Sequence, residues 1–177
     1  MRTLVLGGIR SGKSCWAEEA IAHASAPDHA VRYLAAGPAE NSDPQWRQRV
    51  AKHRERRPGH WTTVETDEVA AELRQSPATP TLVDDLGTWL TSVLDRYHGW
   101  DGGSIESQVE QLLAAIDGFC STLVLVSPEV GLTVVPATAS GRRFADELGD
   151  LNQRVARVCD RVVLVVAGQA LTVKAPT

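Results

Sequence analysis

The sequence predicts an α/β domain, with a mostly parallel central sheet covered by helices on both faces. Three observations predict it. Short runs that are apolar almost throughout, among them Thr3–Gly7, Thr81–Asp84, Thr122–Val126 and Arg161–Ala167, read as strands buried on both faces. Between them lie segments whose apolar residues recur at helical spacing. The two kinds alternate along the chain, which is the order of parallel strands joined through covering helices.

Each element has its own justification. Thr3–Gly7 is β-prone and enters a glycine-rich turn, after which Ser14–Ala24 reads as a helix. Ala30–Ala36 is the second strand, made less clean by Arg32 and Tyr33. Gln45–Arg57 reads as a helix stopped by Pro58-Gly59. Pro77 and Pro80 lead into the buried strand Thr81–Asp84. Leu86, Leu90, Val93, Leu94 and Tyr97 then mark a helix, and His98–Ser104 is a glycine-rich loop. Ile105, Val109, Leu112, Leu113 and Ile116 mark the next helix, before the strand Thr122–Val126. Phe144, Leu148, Leu151, Val155 and Val158 mark a long helix. The strand Arg161–Ala167 follows, and Leu171–Lys174 pairs with it across the turn at Gly168.

Composition narrows the class. A length of 177 residues suits one domain, and neither a linker nor a repeat divides it. With 43% apolar and 23% charged residues, wholesale disorder, collagen and coiled coil are excluded. The longest apolar run, Val162–Gly168, falls far short of the roughly 20 residues that cross a bilayer. The N-terminus lacks the layout of a secretory signal. Cys15, Cys120 and Cys159 are scattered and odd in number, which suits neither a disulfide frame nor a zinc site, so a reducing cytoplasm is expected. The net charge of −4 argues against a general nucleic-acid binder. Residues 47–57 nevertheless carry Arg47, Arg49, Lys52, Arg54, Arg56 and Arg57 against the single acid Glu55. A positive island on an acidic chain points to a localised anionic ligand.

The strongest chemical signal is Gly7-Gly8-Ile9-Arg10-Ser11-Gly12-Lys13-Ser14, a G-x-x-x-x-G-K-S loop between a strand and a helix. Glycines let the backbone curl so that successive N–H groups converge on phosphate oxygens. The helix that follows aims its positive end at the same point. Lys13 places a cation on the β- and γ-phosphates, and Ser14 offers a hydroxyl to Mg²⁺. A second metal ligand is needed at a neighbouring strand end. Asp84 is the better candidate, while Asp85 is placed to cap the helix beginning near Leu86.

The basic stretch holds the second signal. Trp46, Val50 and His53 share one helix face, flanked by cations. Lys52, Arg54, Arg56 and Arg57 disfavour protonation of His53, and neutral imidazole is the nucleophilic form. The residues alone leave two readings open: a histidine that attacks phosphorus, and a solvated basic helix with an incidental histidine. Glu129 is a base, a substrate-positioning group or a loop brace. Asn152 reads as a satisfied buried amide, His60 as packing beside Trp61, Cys15 as a packed thiol, and His23 and His98 as surface residues.

The chain resembles the bifunctional adenosylcobinamide kinase / adenosylcobinamide-phosphate guanylyltransferase family of cobalamin biosynthesis. The loop Gly7–Ser14, the strand Tyr33-Leu34-Ala35-Ala36, His53 with Arg57-Pro58 and His60-Trp61, and Leu82-Val83-Asp84 with Trp89-Leu90 carry the resemblance. So do Glu129-Val130-Gly131 with Pro136, and Phe144, Asp146, Gly149, Asn152 and Gln153. Asp85, Gly87, Pro128 and Thr133 depart from the family pattern, which usually has cysteine, threonine, asparagine and glycine there.

The resemblance implies a P-loop NTPase fold of RecA-like type, with residues 1–177 as one nucleotide-binding domain. It implies that His53 carries a covalent guanylyl group and that Lys13 is catalytic. Nucleotide is bound by the P-loop, by Ala35, Ala36 and Gly37, by Arg54, Glu55, Arg56 and Arg57, and by Glu65 and Asp84. The implied substrates are ATP or GTP with Mg²⁺, and adenosylcobinamide and its phosphate. The family precedent is a homotrimer. Rival readings are a P-loop kinase of another small molecule, a member retaining one activity, and a GTP-binding regulatory protein, the last disfavoured by the lack of a base-reading N-K-x-D motif.

Overall fold

A computed structural model of the chain describes residues 1–25, 29–37 and 57–176. The expected helix Gln45–Arg57 lies outside them except for Arg57, and so do Trp46, Val50, His53, Arg54, Glu55 and Arg56. The strands are β1 (Arg2–Gly7), β2 (Arg32–Ala36), β3 (Thr62–Thr66), β4 (Thr81–Asp84), β5 (Leu123–Pro128), β6 (Arg161–Val166) and β7 (Gln169–Lys174). The helices among the described residues are α1 (Lys13–Ala24), α2 (Val69–Gln75), α3 (Leu86–Arg96), α4 (Glu106–Asp117) and α5 (Ala139–Val158), with a single 3₁₀ turn at Gly99–Asp101.

The strands form one seven-stranded sheet in the order β3-β2-β4-β5-β1-β6-β7. Every pairing is parallel except the β6–β7 hairpin. The alternation seen in the sequence thus becomes parallel strands with helical crossovers. Adjacent residues in each central strand serve opposite faces. Val5, Tyr33, Leu82, Val124 and Val163 pack with Ala17 and Ile21 of α1. Leu4, Leu34, Val83, Leu125 and Val162 pack with residues of the other helices, including Leu73, Leu90, Leu112 and Leu151. Helices cover both faces, as predicted, and each fully buried leucine contributes roughly 1.5–3 kcal/mol.

β3 and α2 are absent from the sequence reading. β3 is an edge strand of sequence TTVET with no residue fully buried, so it lacks an apolar run. α2 has only seven residues, too few to display a helical period. Two side-chain expectations are also corrected. Cys15 is exposed rather than packed. It sits roughly 200° around the helix from Ala17, which faces the sheet. His60 is exposed at the tip of the turn closed by the Trp61 N–H on the Pro58 carbonyl at 3.0 Å, and only Trp61 packs against the core. His23 and His98 are exposed, as expected.

Candidate functional site

The carboxyl ends of the parallel strands converge on the Gly7–Ser14 loop, where ligands of such sheets bind. Arg10 (φ 58°) and Gly12 (φ 95°) adopt left-handed conformations that curl the loop. The Ser11 N–H donates to the Gly8 carbonyl at 3.3 Å. Gly12 is the N-cap of α1, with no side-chain cap and no acid in the first turn. The opening N–H groups of the helix and its positive end therefore face the loop with no carboxylate of the first turn itself competing for them. Lys13 reaches back so that its Nζ lies 3.5 Å from the Gly8 carbonyl.

Two distant segments fix the loop through backbone bonds. The Glu129 N–H donates to the Gly7 carbonyl at 3.1 Å, and the Gly168 N–H donates to the Ser11 carbonyl at 2.8 Å. The tip of the β6–β7 hairpin lies so close that a Cβ on Gly12 would sit 3.1 Å from Gly168 Cα. Gly12 is thus required both by its left-handed backbone and by this approach. The end of β5 is itself braced from α5. Asn152, 6% exposed, accepts from Ser127 Oγ at 2.6 Å and donates to the Pro128 carbonyl at 3.0 Å. This is the satisfied buried amide read from the sequence.

Opposite the loop stands Asp84, at the end of β4. Asp84 Oδ1 accepts from Ser14 Oγ at 3.3 Å, and its Oδ2 accepts from the Tyr33 hydroxyl at 2.6 Å. Adjacent ligands of an octahedral Mg²⁺ at 2.0–2.1 Å are roughly 2.9 Å apart, so Ser14 Oγ and Asp84 Oδ1 fit that ion with little movement. Burial first, and the Asp84 carboxylate second, push the Tyr33 hydroxyl well above its ordinary range, so it remains a donor. The Arg57 guanidinium lies over the Tyr33 ring, 3.3 Å from its centroid, and donates to Thr63 Oγ1 at 3.0 Å. Asp85 does the separate work expected of it, capping α3 by accepting from Thr88 N at 2.8 Å and Thr88 Oγ1 at 3.0 Å.

Register brings other expected residues to the same place. Ala35 pairs with both Asp84 and Glu65, so these three occupy one level of the sheet on the α1 side. Ala36 is buried, and the Gly37 N–H donates to the Thr66 carbonyl at 3.0 Å, closing β2 against β3. Ile9 is 94% exposed at the rim. The Glu129 carboxylate accepts from the Gly131 N–H of its own loop at 2.6 Å. His53, Arg54, Glu55 and Arg56 lie outside the described residues. Sequence reasoning assigned no site role to Tyr33. Its only signal is a hydroxyl-bearing aromatic that follows Arg32 and precedes the apolar run Leu34-Ala35-Ala36.

Three positions that depart from the family pattern prove to be neighbours. A Cβ on Gly87 would lie 2.6 Å from Pro128 Cγ and 3.3 Å from Asp85 Oδ1. The missing side chain at 87 and the proline ring at 128 therefore accommodate each other.

The model of the cobinamide kinase / cobinamide phosphate guanyltransferase family matches residues 3–173. The chain belongs to this family. Among relatives of this cobinamide kinase / guanyltransferase chain, the bifunctional adenosylcobalamin biosynthesis protein CobP of Pseudomonas aeruginosa is 40% identical, with 98% of each chain covered. The corresponding CobU proteins of Escherichia coli and Salmonella typhimurium are each 34% identical, over 98% of this chain and all of theirs. The resemblance seen in the motifs thus extends along nearly the whole family member. Among its described residues, no helix is long and apolar enough to cross a membrane.

Proposed function

We propose that the chain is a bifunctional enzyme of cobalamin biosynthesis, a single nucleotide-binding domain over residues 1–177. It phosphorylates adenosylcobinamide with ATP or GTP and then transfers GMP from GTP to the product. The observation that carries this reading is the curled phosphate loop facing Asp84, with Ser14 Oγ and Asp84 Oδ1 3.3 Å apart, inside a chain of this family.

In the kinase step the terminal hydroxyl of the aminopropanol arm attacks the γ-phosphorus. A new O–P bond forms, the bond from the γ-phosphorus to the β,γ-bridging oxygen breaks, the nucleoside diphosphate leaves, and the hydroxyl proton is released to solvent. Lys13 and the amides of the loop and the first turn of α1 hold the phosphate oxygens and meet the charge that develops on them. Ser14 and Asp84 would hold Mg²⁺, which supplies charge neutralisation at the phosphates when bound. In the transfer step an imidazole nitrogen of His53 bonds to the α-phosphorus of GTP and pyrophosphate leaves. The phosphate of adenosylcobinamide phosphate then displaces the histidine, the P–N bond breaks, and adenosylcobinamide-GDP is formed. A covalent intermediate divides one difficult displacement into two.

Ala35, Ala36, Gly37, Glu65 and the Arg54–Arg57 segment complete the nucleotide site in this reading. Glu129 serves it by holding the loop that bonds Gly7. We further propose a homo-oligomer, with the trimer as family precedent. The exposed apolar side chains Leu171 and Val173 on the edge strand β7 support association. The test is incubation with GTP radiolabelled at the α-phosphate, followed by mass spectrometry of the labelled peptide. The wild-type chain acquires an acid-labile guanylyl group on His53. His53→Ala takes up no label and retains much of the kinase activity. Full guanylyl transfer by that variant would remove His53 from the mechanism.

A further inference from the structure

We propose that Tyr33 is a positioning residue that makes Asp84 present one oxygen, not two, to the nucleotide-bound metal, and so favours Mg²⁺ over Ca²⁺. The inference rests on the proposed nucleotide site and deepens it.

Asp84 has two carboxylate oxygens, and the structure gives them different partners. Oδ1 leans toward Ser14 Oγ at 3.3 Å, on the side of the phosphate loop. Oδ2 is taken by the Tyr33 hydroxyl at 2.6 Å. Bonds to opposite oxygens fix the rotation of the carboxylate about its terminal torsion, which is otherwise broad. The Tyr33 hydroxyl also draws on the Oδ2 electron density that a metal gripping both oxygens at once would need.

That distinction separates the two ions. Mg²⁺ demands near-ideal octahedral geometry at short distance and takes one oxygen per carboxylate, whereas larger Ca²⁺ accepts bidentate carboxylates in flexible shells of six to eight oxygens. A carboxylate with Oδ2 occupied suits the first ion and withholds one ligand from the second.

The hydroxyl is placed firmly. Tyr33 is 2% exposed, on a strand hydrogen-bonded to β4, with its ring in the α1-side core. Arg57 covers the ring at 3.3 Å and is tied to Thr63 on β3, so the orientation of Asp84 is set across three adjacent strands. Satisfying a buried phenol needs only some acceptor. Here the acceptor is one oxygen of the very carboxylate whose other oxygen faces Ser14, and a purely structural bond would not alter metal preference.

The test measures GTP binding to the full chain by calorimetry in EDTA, and then across Mg²⁺ and Ca²⁺ titrations. Tyr33→Phe keeps the ring and the Arg57 contact and removes only the hydroxyl. In EDTA the variant and the wild type bind GTP within about twofold. A hydrogen bond to a charged group is worth roughly tenfold or more. The Mg²⁺ concentration for half-maximal enhancement therefore rises about tenfold in Tyr33→Phe, while that for Ca²⁺ stays level or falls. Coincident Mg²⁺ and Ca²⁺ curves for the two proteins overturn the inference. Wild-type GTP binding that ignores both ions overturns the metal-site reading beneath it instead. Should Tyr33→Phe fail to fold, a crystal structure of the wild type with GTP and Mn²⁺ decides the matter. Metal on Asp84 Oδ1, with Tyr33 still on Oδ2, supports the inference, and metal bridging both oxygens overturns it.

Discussion

At the amino end of the sheet the charged groups satisfy one another. Arg2 donates to Asp117 at 2.7 Å and to Asp160 at 3.0 Å, and Arg32 pairs with Glu72. Lys174 donates to the carbonyls of Ala156, Arg157 and Cys159, closing the C-terminal end of α5. At the carboxyl end the arrangement differs. The backbone is locked by the bonds to Gly7 and Ser11 and by the Asn152 brace, yet among the described residues α1 begins without a side-chain cap and Lys13 makes only a 3.5 Å contact with a carbonyl. One sheet therefore has an end where polar groups close the fold and an end where a rigid backbone holds donors ready for an anion. Preorganised donors of this kind stabilise charge without reorganising when it develops.

The sharpest way to break this comparison is at Lys13. Lys13→Ala lowers both phosphoryl and guanylyl transfer by about 100-fold or more. Its melting temperature stays near that of the wild type, because among the described residues the ammonium makes a single long contact, 3.5 Å from a carbonyl. Unchanged rates in steady-state assays of both reactions would remove the P-loop from the chemistry.

A middle-sized effect is expected where α3 meets the end of β5. Gly87→Thr inserts a branched side chain against Pro128 and costs about 1–3 kcal/mol by overpacking. Pro128→Asn alone costs less. Because the two positions touch, the double variant recovers part of the loss, with a coupling of about 0.5–3 kcal/mol in urea unfolding. Strict additivity would mean that the departures from the family pattern at 87 and 128 are independent.

The smallest effect belongs to the amino end. Hydrogen bonds from the Arg2 side chain and its backbone N–H hold the Asp160 carboxyl below its usual range. A depressed folded-state value means stabilisation that is present above the unfolded value of about 3.9 and is lost as pH falls through the folded one. Asp160 is 37% exposed, so screening limits the contribution to about 1 kcal/mol at most. The stability difference between the wild type and Asp160→Asn is accordingly constant from pH 5 to 7 and shrinks below about pH 4. A difference that persists undiminished at acid pH would show that the ion pair is not its source.

Much of the fold is legible in the sequence because its signals are local. The runs at Thr81–Asp84 and Arg161–Ala167 are apolar almost throughout because their strands are covered on both faces, and the hairpin turn at Gly168 carries its own glycine. β3 is not legible. An edge strand needs no apolar run, so Thr62–Thr66 resembles a loop until β2 pairs with it. The cap at Asp85 is legible for a similar reason, since a cap is recognised by the helix beginning immediately after it. The exposure of Cys15 is not, because the face that α1 buries is chosen by the sheet against which it packs.

The sequence by itself determined the Gly7–Ser14 loop, the parallel α/β class and the family, because the G-x-x-x-x-G-K-S pattern and the apolar runs are written in consecutive residues. Only the tertiary structure decided what surrounds that loop. Tyr33 meets Asp84 across 51 positions, Gly168 seals the loop at Ser11, and Gly87 rests against Pro128. These contacts depend on the order in which strands lie side by side. That order is set by the packing of both faces of the sheet together, and no local stretch of the chain carries it.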